Sequence, residues 1–200
     1  TGHRATRYNA GMKQRELLMA FVACCSIAFM SPTLHADEWH DQLEEGAAAL
    51  RARDYVTALP VLNKAYTDAK LLGNDDSRIA YSAYLLGQCH LNTGQLSDAD
   101  TMFAEALQAM RKARGEKDPQ VANVLDYIGR LRYAQGRYAD AIESLKASLD
   151  MRREVLGEDH IDVGKSLNNL AEMYRAMRRG DMAEPLYEEA VPIYEKAHGE

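Results

Sequence analysis

Glycine followed by glutamate recurs at Gly115, Gly157 and Gly199, each 42 residues from the last. Ala99, Ala141 and Ala183 keep the same interval, as do Gly94 and Gly136. An interval of this length is one supersecondary unit that cannot bury its apolar face alone, so units must stack in a row. Three units follow: 77–118, 119–160 and 161–200. A less regular first unit covers about 39–76, where Tyr55-Val56-Thr57-Ala58 echoes Tyr138-Ala139-Asp140-Ala141.

Each unit reads as two amphipathic helices. Val121, Leu125, Ile128 and Leu131 recur at spacings of 3 to 4, one stripe of a helix. Gly136 ends that helix in the left-handed conformation, and Tyr138, Ala141, Ile142, Leu145 and Leu149 carry the next stripe up to Gly157. Small residues at Gly87, Gly129 and Ala171 are expected where the first helix approaches the second, opposite Ala99, Ala141 and Ala183. A larger side chain there would overpack the contact, at about 1–3 kcal/mol. Leu86, Ile128, Leu170, Phe103, Leu145 and Tyr187 are expected to fill the space between neighbouring helices.

The stretch Ser166-Leu167-Asn168-Asn169-Leu170-Ala171-Glu172-Met173-Tyr174, followed by Ala183-Glu184-Pro185-Leu186-Tyr187, resembles the tetratricopeptide family in its 42-residue, kinesin-light-chain-like form. Ala134-Gln135-Gly136-Arg137-Tyr138-Ala139-Asp140-Ala141 matches the same pattern, and the resemblance covers about 39–200. It implies an all-α, right-handed superhelical solenoid of antiparallel helix pairs in about four repeats. It also implies a non-enzymatic scaffold whose concave face, lined by the first helices, binds a partner peptide or protein. Carried over position by position, the groove residues are Tyr81, Tyr84, Gln88, Leu91 and Asn92, then Asn123, Asp126, Arg130 and Tyr133, then Lys165, Asn168, Glu172 and Arg175.

The fourth unit departs from the pattern, with Arg178 at the helix-ending glycine position and Gly180 at the usual aromatic position. A left-handed arginine costs about 1–2 kcal/mol, so the expectation is a turn moved to Gly180, with Asp181 and Glu184 forming a capping box. Pro60 and Pro185 sit early in their helices, whereas Pro192 lies deeper, where a kink is expected. His40-Asp41-Gln42-Leu43-Glu44-Glu45-Gly46 keeps the small residue but little else, which suits an N-terminal cap.

The formal net charge is −6, and residues 37–200 hold 20 basic against 29 acidic side chains. Phosphate binding needs a basic face, so nucleic acid is not an expected partner. His40, His90, His160 and His198 stand apart from one another, and adjacent Cys89 and His90 point about 100° apart on a helix, unable to share one ion. No glycine-rich phosphate loop, nucleophile elbow or metal-binding helix motif occurs, so no catalytic residue, metal or cofactor is expected.

Residues 13–36 have the layout of an export signal. Lys13 and Arg15 precede an uncharged apolar run of 14 residues, Leu17 to Met30, and Leu34-His35-Ala36 ends in a small residue. A helix of that run spans about 21 Å, short of the ~30 Å hydrocarbon core, so cleavage after Ala36 is expected over a retained span. Met12 is the natural start of this signal, and residues 1–11 read as upstream sequence. The expected location is periplasmic or secreted. Cys24 and Cys25 leave with the signal, and Cys89 alone forms no intramolecular disulfide.

Gly199-Glu200 repeats the start of Gly157-Glu158-Asp159-His160, so a continuation of the chain is expected. The resemblance leaves an alternative open: a recognition module followed by a catalytic domain, for example a caspase-like peptidase. A solenoid with an open last unit would also be able to self-associate.

Overall fold

The computed structural model describes residues 32–73 and 76–199. The chain divides into two compact units, Thr1–Trp39 and His40–Glu200. Most of the first, including the apolar run of the expected export signal, lies outside the described residues. The second unit is an all-α solenoid.

Eight helices follow one another among the described residues: α1 Pro32–Arg51, α2 Tyr55–Leu72, α3 Asp76–Asn92, α4 Leu96–Arg114, α5 Pro119–Ala134, α6 Tyr138–Leu156, α7 Ile161–Ala176 and α8 Gly180–His198. They pair as first and second helices of successive units. Leu62, Leu86, Phe103, Val121, Leu131, Leu145, Leu167 and Val163 are almost completely buried, forming a core that runs along the stack. The expected cleavage point after Ala36 falls inside α1.

The turn between the two helices of each unit repeats one hydrogen-bond pattern. After α5, Arg137 N donates to Arg132 O at 2.8 Å and Gly136 N to Tyr133 O at 2.9 Å. Such a pair closes a helix around one left-handed residue, here Gly136 at φ 76°. The same pattern follows α1 around Arg53, α3 around Gly94 and α7 around Arg178.

Arg178 corrects the expectation for the fourth unit. It takes φ 58°, α8 begins directly at Gly180, and no side chain caps that helix, so the box from Asp181 to Glu184 does not form. Moving the turn by two residues would rotate every α8 side chain by about 200°. Buried Ala183, Ala190 and Ile193 would then leave the core, a larger loss than one strained arginine. Helix α8 runs unbroken through both Pro185 and Pro192.

Gly87 and Gly129 are required to be small, and at Gly129 the expected partner is one of the neighbours, since a Cβ there would sit 3.2 Å from Ala141 O. A Cβ at Gly87 would sit 2.8 Å from the Phe103 ring, and one at Gly129 would sit 2.8 Å from Leu145 Cγ. Gly46 meets Leu62 in the same way in the degenerate first unit. The closest approach is to the large residue one turn beyond the alanine, which settles into the glycine notch. Tyr138, expected on the buried stripe of α6, is instead 47% exposed and packs at a tilt of 54° on Tyr133 with ring centroids 5.3 Å apart.

Between units the chain turns at Gly115 (φ 95°, ψ 170°) and Gly157 (φ 88°, ψ 158°). That region of backbone space is open only to glycine, which explains the periodic residue. Asp118 and His160 then cap α5 and α7 by accepting from Gln120 N and Asp162 N.

Candidate functional site

Two depressions lie along the first helices. The larger, about 510 Å³, is walled by Leu91 and Asn92 of α3, Arg130, Tyr133 and Ala134 of α5, Leu145 of α6, and Asn169, Glu172, Met173 and Ala176 of α7. The smaller, about 340 Å³, is walled by Ala47, Leu50 and Arg51 of α1, Arg53 and Tyr55 beside the first turn, Leu85, Gln88 and Asn92 of α3, and Tyr127 and Arg130 of α5. They share Asn92 and Arg130, so they form one trough across the first helices.

The lining follows the repeat. Leu85, Tyr127 and Asn169 are equivalent, as are Gln88, Arg130 and Glu172, and Asn92, Ala134 and Ala176. These are offsets of 3 and 7 along each helix, one face of a helical surface. Of the residues expected from the sequence, Gln88, Leu91, Asn92, Arg130, Tyr133 and Glu172 line this trough. Leu85, Tyr127 and Asn169 were missed, although each lies three residues before an expected one and so on the same face.

The expected residues nearer the helix starts have internal partners. Tyr84 packs edge-on against Tyr127, centroids 5.4 Å apart at 89°, and burial first, then the charges of neighbouring Tyr127 and Asp126, pushes its phenol above the ordinary range. Tyr81 accepts from Arg114 at 2.9 Å, and its ring also faces that guanidinium. Lys165 donates to Asp162 at 2.7 Å. Asn168 is half-buried and lines neither depression. Arg175 pairs with Glu172 and borders a separate hollow between α7 and α8.

Asp126 departs most from a groove residue, being 7% exposed. Arg152 of α6, 4% exposed, donates to its carboxylate at 2.8 Å. The same guanidinium donates to Asn123 Oδ1 at 2.6 Å, to Ser148 Oγ at 3.1 Å and to Ser166 Oγ. One arginine of a second helix thus binds first helices of two successive units. Its position in the preceding unit is Met110, buried in apolar company, and that polar-for-apolar exchange is the signal by which the sequence exposes the hub.

Polar side chains at the trough are ordered. The Arg130 guanidinium stacks over Tyr127, 4.8 Å from the ring centroid. Asn92 Nδ2 donates to Gln88 O at 2.8 Å, leaving its amide oxygen free to accept. Glu172 is held below the ordinary carboxylate range by the hydrogen bond from Arg175, then by Tyr187. Among the described residues no three His, Cys, Asp or Glu side chains converge as a metal site, and no helix is long and apolar enough to cross a membrane.

Stacked helix pairs with an open, mixed-polarity trough across their first helices define a helical-repeat scaffold. The chain belongs to the tetratricopeptide-repeat family: the family model matches residues 78–154 and again 120–196. It is 31% identical over 114 residues to tetratricopeptide repeat protein 19, mitochondrial, of Rattus norvegicus, covering 54% of this chain and 30% of that protein. It is 41% identical over 97 residues to nephrocystin-3 of Xenopus tropicalis, covering 48% of this chain and 7% of that one. The chain therefore spans less than a third of these relatives. A putative kinesin light chain structure from Podosopora anserina superposes with a TM-score of 0.70 at 21% identity, over 98% of this chain and 93% of that one.

Proposed function

We propose that this protein is a non-enzymatic scaffold that holds a segment of a partner polypeptide in the trough across α1, α3, α5 and α7. The observation that carries this reading is the continuity of the two depressions through Asn92 and Arg130. A channel of this length suits an extended or helical peptide better than a small molecule. Leu91, Leu145 and Met173 offer apolar contact, while Asn92 and Asn169 offer donors and acceptors that fix register.

A photo-crosslinking side chain at Asn169 tests this against one at exposed Glu143 on α6, a second helix. Capture of one partner from Asn169 alone supports the trough. Equal capture from both positions, or from Glu143 alone, overturns it.

We further propose that the protein is exported, with support from the charged, apolar and small-residue order of residues 13–36. Amino-terminal sequencing of protein from the extracytoplasmic fraction should begin at Asp37. Recovery of uncleaved chain from the cytoplasm alone would overturn the proposal.

A further inference from the structure

The outward face of α8 is open where the equivalent faces of earlier second helices are buried. Val191 is 51% exposed, whereas Leu149 at the same position of α6 is 3% exposed. Tyr187 is half-buried, whereas its equivalents Leu145 and Phe103 are almost fully buried. The first helix of the following unit covers those earlier positions: Leu145 and Leu149 share a core with Leu167, Leu170 and Met173 of α7. On α8 the same place is a hollow of about 470 Å³, walled by Glu184, Tyr187, Glu188 and Val191, with Arg175 of α7 at its edge. It shares no lining residue with the trough. Apolar side chains grouped in an open, polar-rimmed hollow mark a docking surface.

The repeat also fixes the charge of the occupant. Glu184 holds the position of Asp100 in α4, and Asp100 accepts from Arg132 of the following first helix, α5, at 2.8 Å. One unit later that position is Ile142, which packs against the cluster holding Tyr174, the equivalent of Arg132. Partners here are matched: carboxylate with arginine, isoleucine with tyrosine. Glu184 and Glu188 have no cation partner among the described residues, and Arg175 is engaged by Glu172. Two carboxylates without counter-charge beside an apolar surface favour a basic helix.

A second copy of this chain does not supply that helix. The positions of Val124 and Ile128 in α5 are Ser166 and Leu170 in α7, buried against the preceding unit. In α1 they are Asp41 and Glu45, both exposed. Stacking copies head to tail would set these carboxylates against Glu184 and Glu188, and like charges repel. A two-fold pair joined tail to tail presents the same patch from both sides, carboxylates included.

We propose that the outward face of α8 docks an amphipathic helix of a partner protein, with apolar side chains over Tyr187 and Val191 and an arginine or lysine opposite Glu184. Helix α5 is the template for such a ligand. Its Val121, Val124 and Leu131 pack with Met110, Ala106 and Phe103 of α4, and Arg132 follows that stripe. The mode is a helix laid in a groove, on a surface separate from the trough.

The probe is a labelled synthetic peptide of residues 119–134, the α5 sequence, titrated against the full chain by fluorescence anisotropy. It should bind, and more weakly at high salt. The peptide carrying Arg132→Glu should bind about tenfold more weakly, and Glu184→Arg in the chain should restore that loss. Val191→Lys should abolish binding of the unchanged peptide while leaving partner capture from Asn169 in the trough intact. Glu184 and Val191 are both exposed, so circular dichroism of the two variants should match that of the parent. Unchanged binding by Val191→Lys places the peptide elsewhere and overturns the docking site. Absence of rescue by Glu184→Arg overturns the charge pairing on which the proposal stands. Failure of the peptide to bind, because a second copy or a following segment of the native polypeptide already holds the face, overturns it as well.

Discussion

Arg152 of α6 donates to the buried carboxylate of Asp126 on α5 at 2.8 Å, and the pair joins the third unit to Ser166 of the fourth. The equivalent position in the adjacent unit is Met110, buried among Ala80, Val121 and Leu125. Two solutions to one packing problem therefore stand side by side in the stack.

Removing Arg152 leaves Asp126 buried without its partner, and such truncations cost about 3–5 kcal/mol. Arg152→Ala should show this loss in urea denaturation. Asp126→Asn with Arg152→Met, which removes both charges and borrows the residue of the preceding unit, should cost well under half as much. Equal losses would mean that side-chain volume, rather than the charge pair, holds the two units.

Arg53 and Arg178 occupy left-handed backbone at φ 60° and 58°. Glycine adopts it freely, so Arg178→Gly should raise stability by about 1 kcal/mol. Gly157→Ala should do the reverse, losing about 1–3 kcal/mol, because φ 88° with ψ 158° is closed to alanine. Paired thermal melts of the two variants check both signs.

The notch at Gly129 admits no methyl group beside Leu145 without a shift. Gly129→Ala should destabilise by about 1–3 kcal/mol, and adding Leu145→Val should recover part of that loss. Additive losses in the double variant would place the strain elsewhere.

Asp100 is held below the ordinary carboxylate range by its hydrogen bond from Arg132, and Asp162 by that from Lys165. A carboxyl whose folded-state pKa is lowered stabilises the fold above its unfolded pKa. That contribution is lost as pH falls through the folded value. Stability should therefore decline from about pH 4 downward. Arg132→Gln should flatten part of that decline, modestly, because both partners are partly exposed. An unchanged acid limb in chemical denaturation would remove Asp100 from the account.

Residues 78–196, where the family model matches, carry the regular period, and Gly115, Gly157 and the apolar stripes of α5 and α6 were legible in it. They were legible because each obeys a local rule: a backbone conformation that only glycine enters, or an apolar face recurring every 3 to 4 residues. The sequence by itself therefore determined the helices, their turns and the row in which they stack. It misplaced the turn at Arg178, because local strain argued for Gly180 while the register of Ala183 and Ile193 against the core decided otherwise. Tertiary structure alone assigned Asp126 to Arg152 and brought Arg51 and Arg53 of the first unit beside Arg130 of the third. Those groups are distant in sequence, and the curvature of the stack, set by side-chain packing between units, determines which of them share a surface.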